Sequence, residues 1–242
     1  MGAIRLDKLL SNAGYGSRSE IKKILKEGVV TVDGVEVFRP EEKINPDTQA
    51  VLFDGNPVYA ERVAYFMLNK PTGVISATYD EEEETVIDLL DEETEALDLF
   101  PVGRLDKDTT GLLILTNDGA FAHRALSPKK HVPKTYIATL TDPPDAADVL
   151  AFAKGITLED EYTCKPAILR LLSDGAAEIT ITEGKYHQVK RMFAARGKTV
   201  LSLRRISFGG LPLDESLAAG EYRPLTEQEL RLVFHEPASH TE

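Results

Sequence analysis

The stretch Gly103–Asp118 (GRLDKDTTGLLILTND) constrains the fold of this chain more than any other. Its second half contains Leu112–Leu115, an apolar run with turn-forming residues on both sides, which predicts a strand in the core. Arg104 and Asp106 stand just before this strand, so two opposite charges lie at the edge of the core. An acid in such a place most often forms a structural ion pair or caps a turn, so a functional role needs support from other segments.

Strand and helix patterns are interspersed after a boundary near Asn56–Arg62. Strand patterns occur in VAYFMLNKPTGVI, LLILT, KTYIATL, AILRLL, AAEITIT and TVLSLRRISFGG. Helical patterns occur in TVIDLL (capped by Thr85), DGAFAHRAL, DAADVLAFAKG, YHQVKRMFAARG and TEQELRLVF. Because several strands are joined by hairpin signals, we predict an α+β fold whose domain at residues 62–236 has a mixed, largely antiparallel sheet flanked by helices.

Residues 1–58 are predicted to form a separate small module. Leu6, Leu9 and Leu10 recur at helical spacing, and Ser17 or Ser19 can cap a second helix that Gly28 ends. The segment VVTVDGVEV alternates around Asp-Gly, which is a strong hairpin signal. We expect six basic side chains on the exposed helical surface, namely Arg5, Lys8, Arg18, Lys22, Lys23 and Lys26.

This N-terminal pattern, RLDKLLSNAGYGSRSEIKKILKEGVVTVDG, resembles the S4 RNA-binding domain. The order of the helices and the hairpin agrees, and so do the glycines and the basic positions. The resemblance implies that the helix pair presents its bases to RNA phosphates. The alternative is a small basic helical module of unrelated origin.

The charge of the chain is unevenly distributed. The formal net charge of −12 on 242 residues argues, taken alone, against a polyanionic partner. Eleven acids and no base fall within residues 80–98, and the rest of the chain carries only −1. Seven bases and no acid fall within residues 185–205, so a globally acidic protein can still have a basic face, and the alternative is a set of scattered solvated charges. The acidic run gives no support to RNA binding.

Cysteine content and hydropathy indicate the cellular setting. The single cysteine, Cys164, excludes an intrachain disulfide, and no Cys/His cluster has zinc spacing. The N-terminus has no basic segment followed by an apolar one, and no apolar run is long enough to span a bilayer. We therefore expect a cytoplasmic protein without a membrane partner.

Several further motifs, taken in order, resemble the pseudouridine synthases. They are FMLNKPTG, GRLDKDTTG, KTY, FAKGITL, EGKYHQVKRMF, VLSLRRISFGGLPL and AAGEYRPLTEQE. The branch they resemble is the one typified by the bacterial small-subunit (16S) ribosomal RNA pseudouridine synthase. The likeness covers nearly the whole chain, including the S4-like module.

The resemblance implies a role for each matched residue. Asp106 in GRLD matches the catalytic aspartate, Tyr136 in KTY matches the tyrosine that stacks on the target base, and Lys190 in HQVK matches the base that pairs with the aspartate. Arg104 matches an arginine that helps hold the RNA open where the flipped nucleotide has left its stack. Leu203 lies where the family has an apolar pocket residue. Further RNA contacts are expected at Lys134, Lys185, His187, Gln188 and Arg191.

These residue types suit the isomerisation of uridine. The N–C glycosidic bond breaks, the uracil turns and C5 bonds to C1′, without a redox step, an energy source or a metal, so no cofactor is expected. An ionised Asp106 can serve as a nucleophile or stabilising carboxylate, and a nearby cation keeps it charged in a dry pocket. The target nucleotide must leave its stack, and Tyr136 offers a replacement stacking surface. The expected partner is ribosomal RNA or a pre-ribosomal small-subunit particle, and the expected state is a monomer.

Other uses of these residues stay open. Asp106 and Asp108 could form a glycosidase-like acid pair, and Tyr136 could be sheet core. KYHQVKRMFAARG could be a basic helix that only touches phosphate, and metal ligation by His123, His131 and His187 lacks a supporting spacing. The alternative functions are a large-subunit (23S) synthase and a non-catalytic S4-type ribosome-binding factor. The intact catalytic set favours an enzyme, and the end of the chain at HEPASHTE mildly favours the small-subunit branch.

Overall fold

The computed structural model describes residues 3–58, 63–127 and 129–235. Contacts divide the chain into two compact units, residues 1–62 and 63–242. The predicted domain limits, 1–58 and 62–236, stay a prediction, and residues 59–62 lie outside the described part. In that described part, no helix is long and apolar enough to cross a membrane.

The first unit pairs two short helices with two small antiparallel sheets. The helices are α1 (Leu6–Asn12) and α2 (Arg18–Ile24), and a 3₁₀ turn follows at Leu25–Glu27. The strands are β1 (Ile4–Arg5), β2 (Val30–Val32), β3 (Val35–Glu36), β4 (Lys43–Ile44), β5 (Val51–Phe53) and β6 (Asn56–Pro57). Strand β1 pairs with β4, and the second sheet has the order β3-β2-β5-β6.

The turns of this unit form where the sequence predicts them. Ser17 caps α2 in a capping box, because its hydroxyl accepts from the amide of Glu20, whose carboxylate accepts from the amide of Ser17. Gly28 has a φ of 73° and ends the helical segment. Asp33 and Gly34 have φ values of 52° and 80° and join β2 to β3, so the predicted hairpin is confirmed.

In this unit the apolar side chains are buried and the predicted basic side chains are exposed. The predicted leucines of α1 are buried with Ile21 and Leu25, whereas the six predicted bases are exposed. Arg5 also has a local contact, because its guanidinium donates two hydrogen bonds, of 3.0 and 2.8 Å, to the buried carboxylate of Asp7. These bonds hold the pKa of Asp7 below its ordinary value.

The second unit contains a large sheet and most of the helices. Its strands are β7 (Tyr65–Lys70), β8 (Phe100–Pro101), β9 (Thr109–Thr116), β10 (Lys134–Leu140), β11 (Ile168–Leu171), β12 (Ala177–Ile181), β13 (Val200–Phe208), β14 (Leu211–Pro212) and β15 (Tyr222–Pro224). Its helices are α3 (Glu92–Glu95), α4 (Gly119–Leu126), α5 (Ala146–Lys154), α6 (Gln188–Ala194) and α7 (Glu227–Leu232). The strand order is β11-β12-β10-β13-β9-β7-β15, with β8 beside β9 and β14 beside β13.

The position of β9 in the sheet explains the apolar run Leu112–Leu115. Strand β9 pairs in parallel with β13, and the other strand pairs of this sheet are antiparallel. Leu113 and Leu115 enter one hydrophobic core, while Leu112 and Ile114 enter a second core. A strand that is buried on both faces has no polar alternation, so the run is continuously apolar. The predicted mixed, largely antiparallel sheet with flanking helices is confirmed.

One predicted helix is wrong. TVIDLL forms turns, in which the Thr85 hydroxyl accepts from the amides of Ile87 and Asp88 at 3.3 and 3.4 Å. Thr85 also bridges to Ile75, and Val86 lies in the core. These tertiary contacts outweigh the helical pattern, because one or two turns of helix have little stability of their own. Instead, a short helix, α3, begins after Asp91, whose side chain accepts from the amide of Thr94.

Candidate active site

Two buried side chains hold the segment that carries Asp106, just before β9. The first is Ser76, whose hydroxyl donates to the carbonyl of Leu105 at 2.9 Å and accepts from its amide at 3.0 Å. Leu105 itself is buried in the main core. The residue immediately before Asp106 is therefore fixed through both its backbone groups and its side chain.

The second side chain is Lys70, which is fully buried, at 0% exposure. Its ammonium donates to three backbone carbonyls, those of Pro71 (2.9 Å), Lys107 (3.3 Å) and Thr109 (3.0 Å). Burial lowers the pKa of Lys70 to about 8, although Asp108 and Asp106 oppose this. The sequence alone did not single out Lys70, since a lysine before a proline looks like a surface residue.

Lys190 bridges two carboxylates at the site. Its Nζ lies 3.1 Å from Oδ2 of Asp106 and 2.5 Å from Oδ1 of Asp108. Burial opposes the charge on Lys190, but hydrogen bonds to Asp108 and Asp106 outweigh it and raise its pKa. The same hydrogen bond lowers the pKa of Asp108, and Nε2 of His187 lies 3.6 Å from Oδ1 of Asp106. The site therefore holds a protonated Lys190 between the side chains of Asp106 and Asp108.

A small cavity of about 90 Å³ opens beside Asp106. Tyr136 from β10 and Leu203 from β13 are buried and line it, together with Ile181 and Val189. Arg104 also lines the cavity, and the residue is exposed. The structure thus brings together the five residues predicted for catalysis and the substrate pocket, in a cavity lined by both apolar and charged side chains.

The loop between β12 and α6 is held by its own side chains. Gln188 is buried, accepts from the amide of Lys185 at 2.9 Å and donates to Glu183 at 2.8 Å. Glu183 in turn accepts from the hydroxyl of Tyr162 at 2.8 Å and from the amide of Lys165 at 2.9 Å. The polar atoms of Gln188 therefore bind the protein itself, and its predicted RNA contact stays a prediction.

The other predicted RNA contacts lie in different environments. Lys185 is exposed, with its ammonium 4.9 Å from the ring centre of Tyr162. Arg191 pairs with Asp160 at 2.6 Å. Lys134 donates to the carbonyl of Val132 at 2.8 Å, and burial lowers its pKa to about 8. Their roles toward RNA stay predictions.

Three further bases within residues 185–205 have partners in the protein. Arg196 and Lys198 pair with the buried carboxylate of Asp148 at 2.9 and 3.4 Å. Arg205 is buried and donates to the carbonyl of Leu112 at 2.7 Å. The expectation of a basic face stays a prediction, although these three cations have partners within the protein that counting charges in the sequence cannot reveal.

Comparison with known proteins identifies the family. The family model described as RNA pseudouridylate synthase matches residues 64–195. The chain belongs to the RNA pseudouridine synthase family. An S4 domain model matches residues 4–49, so this synthase has the predicted N-terminal RNA-binding module.

Relatives of this synthase align along nearly its whole length. An uncharacterized RNA pseudouridine synthase, YtzG, of Bacillus subtilis (strain 168) is 50% identical over 95% of this chain and 98% of its own. The ribosomal small subunit pseudouridine synthase A of Escherichia coli (strain K12) is 44% identical over 95% of this chain and 100% of its own. A crystal structure of a pseudouridylate synthase, 41% identical, superposes with a TM-score of 0.69 over 95% of this chain and 99% of its own.

Proposed function

We propose that this synthase converts a specific uridine of ribosomal RNA, in the small-subunit 16S RNA, to pseudouridine, with Asp106 as the reacting carboxylate. The observation that carries the assignment of Asp106 is its pairing with Lys190, 3.1 Å away, at a cavity walled by Tyr136. The choice of RNA is supported by similarity to a protein named as a ribosomal small subunit pseudouridine synthase.

The reaction is an internal rearrangement that this set of residues can support. The bond from N1 of uracil to C1′ breaks, a bond from C5 to C1′ forms, C5 loses a proton and N1 gains one. Asp106 acts at the nucleotide as a nucleophile or as a stabilising carboxylate. Lys190 keeps that carboxylate ionised when the RNA displaces water, since an adjacent cation favours the charged form.

The cavity walls and rim suit a nucleotide turned out of its stack. A base in a duplex or a folded RNA hides its reacting atoms, so it must be extruded before it reaches Asp106. The ring of Tyr136 then replaces the lost stacking partner. In this proposal the exposed Arg104 holds the phosphate of the opened backbone, since arginine binds phosphate through paired hydrogen bonds.

The remaining parts of the proposal concern the setting. The exposed bases of α1 and α2 supply phosphate contacts that do not depend on sequence. The proposed substrate is ribosomal RNA, either free or in a pre-ribosomal small-subunit particle, and the protein is proposed to act as a monomer in the cytoplasm.

Two measurements test this function. When pseudouridines are mapped in ribosomal RNA from cells with and without the protein, one site in 16S RNA should be missing from the cells without it. The purified protein should release tritium from 16S RNA transcribed with [5-³H]uridine, since C5 loses its hydrogen. Loss of a 23S site would correct the substrate, and no lost site together with no tritium release would favour a non-catalytic ribosome-binding factor.

A further inference from the structure

Tyr186 lies next to the site, and the predicted catalytic and RNA-binding set leaves it unassigned. The residue is 76% exposed, although tyrosine carries a large apolar ring. Its ring stacks on the ring of His187, with centroids 3.8 Å apart and planes 18° apart. His187 lines the cavity and approaches Asp106, so the stacked pair extends outward from the site.

The backbone presents this pair in a fixed way. His187 has a φ of 47°, in the left-handed region that non-glycine residues seldom adopt. It is the residue just before α6, and Gln188 after it is anchored by Glu183 and by the amide of Lys185. Tyr186 and His187 therefore lie between Lys185 and Gln188, which are hydrogen-bonded to each other, and this closed turn suits a platform held ready for a ligand.

The surroundings indicate the chemistry of that ligand. One face of the Tyr186 ring meets His187, and a ring that is 76% exposed leaves the other face open to a flat partner. Lys185 and Arg104 are exposed cations that line the same cavity. Aromatic faces beside cations are the combination by which proteins bind unpaired nucleic acid strands.

We propose that Tyr186, backed by His187, is a stacking platform for an unpaired nucleobase that flanks the target uridine. This inference rests on the proposed function and adds a second base site to it. The target base stacks on Tyr136 inside the cavity, and the flanking base stacks on Tyr186 at the rim. The platform binds any base through its ring and selects substrates in which this neighbour is unpaired.

Binding measurements on flank-modified RNA test the platform. The probe is a 16S RNA fragment with the mapped target uridine, prepared with its natural flanking bases or with an abasic nucleotide on one side. Affinities are measured for the wild type, Tyr186→Ala, Tyr186→Phe and Tyr79→Ala. The last variant is a matched control, because Tyr79 is equally exposed but has no cavity-lining residue beside it in the chain, whereas Tyr186 lies between the cavity-lining Lys185 and His187.

If Tyr186 stacks on a base, the affinities and kinetic constants should change in a specific way. We expect Tyr186→Ala to weaken binding of the natural RNA about tenfold, while Tyr186→Phe and Tyr79→Ala stay within about twofold of the wild type. An abasic nucleotide on the stacking side should remove the difference between the wild type and Tyr186→Ala. The slope of affinity against salt should not change, because tyrosine carries no charge, and KM should rise while kcat is kept.

Two results would overturn the inference without overturning the proposed function. One is a Tyr186→Ala variant that binds the natural RNA as the wild type does while the wild type is active, which leaves the proposed function standing. The other is a Tyr186→Ala variant that loses the same affinity, relative to the wild type, with both abasic RNAs. That result would mean that the ring supports the loop rather than a base. A wild type that releases no tritium from 16S RNA would overturn the proposed function, and this inference with it.

Discussion

Replacing Lys70 with methionine should loosen the loop that carries Asp106. The buried ammonium donates to the carbonyls of Pro71, Lys107 and Thr109, and methionine has a similar length but no donor. The carbonyl of Lys107 keeps the amide of Gly73, 2.9 Å away, as a partner. Each of the other two buried carbonyls that loses this donor costs about 1–3 kcal/mol. The variant also no longer has to bury a charge, which offsets part of that cost. The free energy of unfolding should therefore fall by about 2–3 kcal/mol.

The pH dependence gives this prediction its sharpest test. The pKa of Lys70 is about 8 in the folded protein against 10.5 for an ordinary lysine. Between these values the unfolded chain binds more protons than the folded one, so the free energy of unfolding rises with pH, by at most about 3 kcal/mol. Below pH 8 both states are protonated and this contribution is constant. Lys70→Met should lack the rise between pH 8 and 10.5.

The assay is urea unfolding, followed by far-ultraviolet circular dichroism at pH 7, 8.5 and 9.5, alongside tritium release at pH 7.5. Turnover should fall at least about tenfold, because a displacement of about 1 Å at a reacting group can cost ~10²-fold. Lys154→Met, at an exposed lysine of α5, is the control for turnover and for stability at pH 7. A Lys70→Met protein with wild-type stability at pH 7 and the same rise with pH would refute the burial and the bonding described for Lys70.

Three further predictions concern charge. Asp106→Asn should abolish tritium release, beyond the ~10²–10⁴-fold typical of acid–base assistance, while RNA affinity is kept; turnover within tenfold of the wild type would remove Asp106 from the mechanism. Glu83→Gln breaks the ion pair with Lys107 beside the site and should strengthen RNA binding at low salt but not at high salt, as measured by fluorescence anisotropy; lost turnover would reveal a specific role for the acid. Neutralising Lys22, Lys23 and Lys26 together should flatten the salt dependence of RNA affinity by roughly 0.7 for each lost single-strand phosphate contact. An unchanged slope would show that α2 and the 3₁₀ turn after it do not touch RNA.

The sequence predicted the elements of this protein better than it predicted the partners of its charges. Strand β9 could be predicted because an uninterrupted apolar run with turn residues at both ends needs burial on both faces. The hairpin at Asp33-Gly34 and the cap at Ser17 could be predicted because their conformations follow from local chemistry.

The pairing of Lys190 with Asp106 came from family resemblance, since no spacing rule joins residues so far apart in the chain. Lys70 was missed because its three acceptors are backbone carbonyls, which leave no trace in residue type. Arg196, Lys198 and Arg205 were counted as surface charge because their partners, Asp148 and the carbonyl of Leu112, are set by tertiary packing. The turns at TVIDLL were missed for the same reason.

The strand order bears on when activity can arise during biosynthesis. Strand β13 lies between β9, which follows Asp106, and β10, which carries Tyr136, although it comes after both in the chain. The two halves of the site are therefore set at their working distance only when the chain has been made as far as Phe208. Such non-local pairing makes folding slow, because loops must close before contacts compensate for the lost chain entropy. A nascent or truncated chain that lacks β13 would thus have no catalytic activity. On refolding from denaturant, turnover should return no sooner than the amides of β13 become protected from exchange.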